Sequence, residues 1–164
     1  MPDMLVRLYD LPADDPSLTR VADAGIVLRL AMPYERTQLR GWIEQHFSAG
    51  WADEFEATLS NTPVSTVLAV RDGELLGFAC YDATARGFFG PTGVAEASRG
   101  LGVGRALLVD CLRRMRDVGY GYAAIGGVGP VEFYEKAVGA TLIEGSDPGV
   151  YRDRLARPSA EPSA

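Results

Sequence analysis

Val94-Ala95-Glu96-Ala97-Ser98-Arg99-Gly100-Leu101-Gly102-Val103-Gly104-Arg105-Ala106-Leu107-Leu108 joins an extended run to an amphipathic one through alternating glycines. Downstream, Leu108, Cys111, Leu112, Met115 and Val118 recur at 3/4 spacing. Arg105, Asp110, Arg113 and Arg116 fall largely off that stripe, so a helix with one buried face is expected, stopped at Gly119. Upstream, Gly87 to Val94 reads as a strand. Glycines let a backbone approach an anion, and loop N–H groups at a helix N-terminus can point at one phosphate. Arg99 and Arg105 add charge at either side. The loop therefore suits a pyrophosphate-bearing ligand. Two phosphate patterns fail: no Lys-Ser/Thr follows for a P-loop, and Leu107 stands where a dinucleotide fingerprint needs its third glycine. A plain tight strand-to-helix connection remains the other reading of the loop.

Working outward, Val64 to Val70 and Leu75 to Tyr81 flank Arg71-Asp72-Gly73-Glu74, and Asp-Gly marks a tight hairpin. Before it, Leu5 to Tyr9 and Gly25 to Leu30 read as strands, with a loop over Asp10 to Ser17. A helix opens near Pro33 and carries Leu39, Trp42, Ile43 and Phe47; a second covers Ala52 to Leu59. After the glycine loop and its helix come a strand over Tyr120 to Gly126, a helix over Val131 to Ala137 and a strand over Ala140 to Glu144. Gly149 to Leu155 is read as the last strand. This order gives an α+β, or mixed α/β, domain over residues 1–155, with a Pro/Ser/Ala-rich disordered tail over 156–164.

The 164 residues make one domain. Sixteen Lys and Arg against twenty-two Asp and Glu give a net charge of −6, which disfavours nucleic acid and mildly favours a neutral or cationic substrate. Cys80 and Cys111 with one histidine make no zinc set. Both lie in apolar periodic segments, so buried free thiols and a reducing, cytoplasmic setting are expected. No secretory signal or membrane span is read, and no membrane partner is expected.

The segment from Val94 to Leu108 resembles the acetyl-CoA signature of the GNAT superfamily of N-acetyltransferases: Arg/Gln-x-x-Gly-x-Gly/Ala after a strand ending in Val. Phe133-Tyr134-Glu135-Lys136-Ala137-Val138-Gly139-Ala140 is similar to that superfamily's later Phe-Tyr-Glu-Lys segment, and Asp72-Gly73-Glu74-Leu75-Leu76-Gly77-Phe78 to its preceding hairpin. The resemblance covers about Val64 to Glu144. It implies a mostly antiparallel sheet, splayed at the acyl-CoA site and flanked by helices, and acetyl-CoA as co-substrate.

By that resemblance the Val94 backbone holds the pantetheine and polarises the acetyl carbonyl. Arg99, Gly100, Leu101, Gly102, Val103 and Gly104 surround the pyrophosphate, and Arg105 screens its charge. Tyr134 matches the tyrosine that protonates the leaving thiolate; the other reading packs it against the cofactor without proton transfer. Many relatives carry an Asn before Phe-Tyr, whereas this chain reads Ile125-Gly126-Gly127-Val128-Gly129-Pro130. Asp82 and Glu54 are the candidate general bases, with Glu96, His46 and a water chain behind them. Trp42, Phe47, Trp51 and Phe55 read as core anchors or as the floor of an acceptor pocket.

The implied reaction is direct acetyl transfer to a primary amine of a small molecule. A protein N-acetyltransferase and a non-catalytic acyl-CoA sensor on the same fold are the alternatives. A homodimer through an edge strand near the C-terminus is a further expectation.

Overall fold

The computed structural model describes residues 1–156, and the expected tail lies from residue 157 onward outside them. A seven-stranded sheet runs in the order β2-β3-β4-β5-β6-β1-β7. Its strands are β1 (Met4–Arg7), β2 (Val27–Leu30), β3 (Thr66–Arg71), β4 (Glu74–Tyr81), β5 (Phe88–Val94), β6 (Tyr122–Ile125) and β7 (Thr141–Leu142). Every neighbouring pair is antiparallel except β5 and β6. The helices are α1 (Pro16–Asp23), α2 (Arg36–His46), α3 (Ala49–Thr58), α4 (Val103–Asp117) and α5 (Val131–Val138).

Strand alternation divides the apolar residues between two cores. Val67 and Ala69 of β3 face a core shared with Val21 of α1 and Leu107, Leu108, Cys111, Leu112 and Met115 of α4. Leu68, between them, faces Leu39 and Ile43 of α2 and Phe55 of α3. At roughly 1.5–3 kcal/mol for each fully buried large side chain, α4 is the main clamp on the sheet. Its buried face is wider than the expected stripe, since Val103, Ala106 and Val109 join it. Val118 is exposed because the helix ends at Asp117. The hairpin turn is as read: Asp72 and Gly73 have φ of 51° and 79°, so the turn twists with its strands.

Three expectations are corrected. The loop over Asp10 to Ser17 ends early, because Asp15 accepts from the Ser17 N–H at 2.9 Å and Pro16 opens α1. The strand over Gly149 to Leu155 is absent: Gly149–Tyr151 form a 3-10 turn, and a Cβ at Gly149 would lie 3.2 Å from Asp3 Oδ2. The first strand ends at Arg7, where a 3-10 turn (Leu8–Asp10) buries Leu8. Cys80 and Cys111 are free and buried, and burial pushes the Cys80 thiol up to about 12. No helix among the described residues is long and apolar enough to cross a membrane.

The feature that makes the site is the separation of β5 from β6. They pair only at Phe88 with Ala124 and Phe89 with Ile125. There Gly90 and Pro91 bulge: Ala79 pairs with Thr92 but Tyr81 with Phe89. A bulge bends its strand, and proline brings no N–H to a ladder. Beyond it β5 follows β4 to Val94, while β6 stops at Ile125, so the strands open into a V.

Candidate active site

A cleft of about 930 Å³ occupies the V. β5 contributes Gly90 to Thr92, the segment after β6 contributes Gly126 to Pro130, and α3, α5 and the C-terminal 3-10 turn contribute Trp51, Glu54, Tyr134 and Tyr151. Tyr134 is 8% exposed, and burial alone raises its pKa, so its hydroxyl stays protonated at neutral pH. Glu54 is half-buried and accepts from Thr84 Oγ1 at 2.5 Å. Tyr151 is pushed up by burial and by the charge of Glu54. A Cβ at Gly126 would lie 3.0 Å from both Tyr151 Oη and Phe88 Cδ1. The Tyr151 hydroxyl thus occupies the place where a side chain at position 126 would stand.

The glycine loop lies past the far end of β5. Glu96–Ser98 make one 3-10 turn, Gly100 and Gly102 have φ of 85° and 83°, and α4 begins at Val103. L side chains disfavour that backbone region, so glycine is required at the cap. The Ala106 N–H bonds the Gly102 carbonyl at 3.0 Å. The N–H groups of Val103, Gly104 and Arg105 come before this first rung and have no partner within the helix. Val94 lies beside the loop, 3.6 Å from where a Cβ on Gly104 would stand.

Two candidates sit elsewhere. The Asp82 carboxylate accepts from the Gly87 N–H at 2.7 Å and from the Tyr120 hydroxyl at 3.0 Å, closing the β4–β5 connection outside the cleft lining. Arg105 turns from the loop to Asp15, at 2.9 Å from Nη2, and to the Ala137 carbonyl at 3.3 Å. Burial would raise the Asp15 carboxyl, but the hydrogen bonds from Arg105 and Ser17 hold it below its ordinary value. Glu96 and His46 are exposed, and His46 lies on Trp42 with ring centroids 4.4 Å apart. The aromatic cluster divides. Phe55 is core, Trp51 lines the cleft, and Phe47 stacks on Trp51 at 5.1 Å while covering Gly93.

Sequence reasoning missed Arg20, which α1 brings onto the loop: its Nη2 donates to the Gly100 carbonyl at 2.7 Å. The Asp15-Pro16 start signal for α1 would have found it. Tyr151 and Thr84 lie in irregular segments and left no periodic signal. Among the described residues no cluster of three or more His, Cys, Asp or Glu is placed to hold a metal ion.

The sequence profile of the acetyltransferase (GNAT) family matches residues 29–140. No curated protein sequence matches the chain. Among solved structures, the fold is similar to the GCN5-related glucosamine N-acetyltransferase region of a fungal multi-domain β-N-acetylglucosaminidase. The TM-score is 0.72 at 14% identity, over 87% of this chain and 19% of that one. It is also similar to a GCN5-related N-acetyltransferase from Sphaerobacter thermophilus: TM-score 0.65, 21% identity, 87% of this chain and 48% of that one. A third is a GCN5-related N-acetyltransferase from Kribbella flavida: TM-score 0.55, 18% identity, 86% of this chain and 53% of that one. The chain thus spans between a fifth and about half of the length of these structures, and the likeness is one of fold.

Proposed function

Because the chain belongs to the acetyltransferase (GNAT) family, we propose that it moves an acetyl group from acetyl-CoA directly to the primary amine of a small molecule. The observation that carries this reading is the cleft between β5 and β6, lined by Tyr134 of α5 and Glu54 of α3. The residues present fit the co-substrate. The V offers room for the pantetheine arm beside β5, and the first N–H groups of α4 suit a diphosphate.

Acetyl-CoA supplies the acyl group as an activated thioester. Glu54 takes a proton from the incoming ammonium and leaves a nitrogen lone pair free to attack. Thr84 fixes one carboxylate oxygen of Glu54 and leaves the other for the amine. The nitrogen bonds the acetyl carbon as the carbon–sulfur bond opens, and it releases its surplus proton to solvent. The Val94 backbone meets the charge growing on the carbonyl oxygen. The Tyr134 hydroxyl gives its proton to the departing sulfur and is reset from Glu54 or solvent. Trp51 and Tyr151 form an aromatic wall for the acceptor, which suits the approach of a cation.

The test is calorimetric titration of the protein and of a Gly104→Glu variant with acetyl-CoA, followed by thiol release with a panel of amines. Micromolar binding lost in the variant, with release driven by a small amine, supports the reading. Absence of binding by the wild type overturns it. Binding without release for any amine makes the chain an acyl-CoA sensor instead.

A further inference from the structure

Arg105, the cation that its position assigns to the phosphates, is committed to Asp15. A different arginine lies on the loop. Arg20 donates to the Gly100 carbonyl at 2.7 Å, and its side chain covers Gly102: a Cβ there would be 3.5 Å from Arg20 Cδ and 3.8 Å from Nη1. Arg29, Arg36, Arg40, Arg105 and Arg114 all have carboxylate partners. Among the described residues, Arg20 and Arg99 have none, as is also true of Arg71, Arg86, Arg113, Arg152 and Arg154. In a chain of net charge −6, two uncompensated guanidinium groups thus flank one glycine loop.

The contact also orients the loop. A trans peptide holds its C=O and N–H antiparallel. Pinning the Gly100 carbonyl toward α1 therefore turns the Leu101 N–H away from α1. The Asp15–Arg105 pair fixes the start of α1 to the first turn of α4, so Arg20 reaches the loop from an anchored platform.

We propose that Arg20 is a positioning residue of the diphosphate subsite, holding the Gly100–Leu101 peptide in its binding orientation with its side chain laid along Gly102. This rests on the acetyl-CoA reading above. It places a determinant of the subsite on α1, outside the glycine motif.

The experiment is calorimetric titration of the full chain, Arg20→Ala and Arg20→Lys with CoA and with 3′-dephospho-CoA, at low and high salt, with Tm recorded for each protein. Arg20→Ala is expected to weaken both ligands by the same factor, about tenfold. Arg20→Lys recovers part of the loss, the loss shrinks at high salt, and Tm is unchanged because the side chain is exposed. Wild-type affinity in Arg20→Ala overturns the inference and leaves the acetyl-CoA reading standing. A loss confined to CoA assigns Arg20 to the 3′-phosphate and overturns it too, as does a loss that tracks a fall in Tm. Failure of the wild type to bind either ligand overturns the acetyl-CoA reading and the inference with it.

Discussion

The Arg105 guanidinium donates twice to Asp15 Oδ2, from Nε at 3.1 Å and from Nη2 at 2.9 Å, joining residues 90 positions apart. Asp15 caps α1 and its side chain is fully buried, while Arg105 is 37% exposed. The pair welds the first helix to the start of α4.

Removing Arg105 strands a buried carboxylate. Breaking a buried pair costs roughly 3–5 kcal/mol, and partial exposure of the arginine lowers this to about 2. Arg105→Ala should lower Tm by about 6 °C at pH 7. The Asp15 carboxyl is depressed, so its stabilisation is present above its unfolded value and is lost as pH falls through the folded one. The gap in Tm between wild type and variant should therefore narrow below about pH 4. A gap that stays constant down to pH 2 contradicts this account.

Tyr134→Phe deletes the proton donor and keeps the packing. Turnover of acetyl-CoA with an accepted amine should fall about a hundredfold. Calorimetric affinity for acetyl-CoA should stay within about twofold, since the hydroxyl is not needed for binding. Because burial raises the Tyr134 pKa, the fall in wild-type rate at high pH should come later than deprotonation of an ordinary tyrosine. Unchanged turnover in the variant removes tyrosine from the chemistry.

Glu54→Gln keeps shape and a partner for Thr84 while abolishing the proton acceptor. The rate with an accepted amine should drop by about two orders of magnitude, with CoA affinity intact. Thr84→Val should cost less, several-fold, because it frees the carboxylate to rotate without removing it. If Thr84→Val costs more than Glu54→Gln, the order of roles is wrong.

Gly93→Ala tests the close approach of α2 to the splayed strand. The added Cβ would sit 2.3 Å from Phe47 Cζ, so the ring must leave its stack on Trp51. Overpacking of this kind costs about 1–3 kcal/mol, or roughly 3–9 °C in Tm. A smaller shift would mean that Phe47 swings aside freely.

What the residues disclose before folding is what repeats or what turns. Asp72-Gly73 announces a turn through its positive φ, and the α4 stripe announces a buried face. The glycine loop announces an anion site through its composition. What escapes is the pairing of distant charges. Arg105 next to three glycines reads as a phosphate cation until Asp15 is brought beside it. Asp82 reads as a free carboxylate until Tyr120 closes on it. Tyr151 escapes for another reason: its segment has no period, and its place is set by the space that Gly126 leaves.

β1 lies between β6 and β7, pairing Met4 with Ile125 on one side and with Leu142 on the other. The earliest of the seven strands is therefore interior, and its two neighbours are the latest of the seven in chain order. At about 5–20 residues per second, β1 waits roughly ten seconds for Tyr122 to Ile125 to be synthesised. Through that interval the nascent chain carries a short strand with both edges unpaired. One half of the sheet can close only after β6 and β7 are made, so the wall of the V that bears Gly126 and Tyr134 is ordered after the β2–β5 half of the sheet.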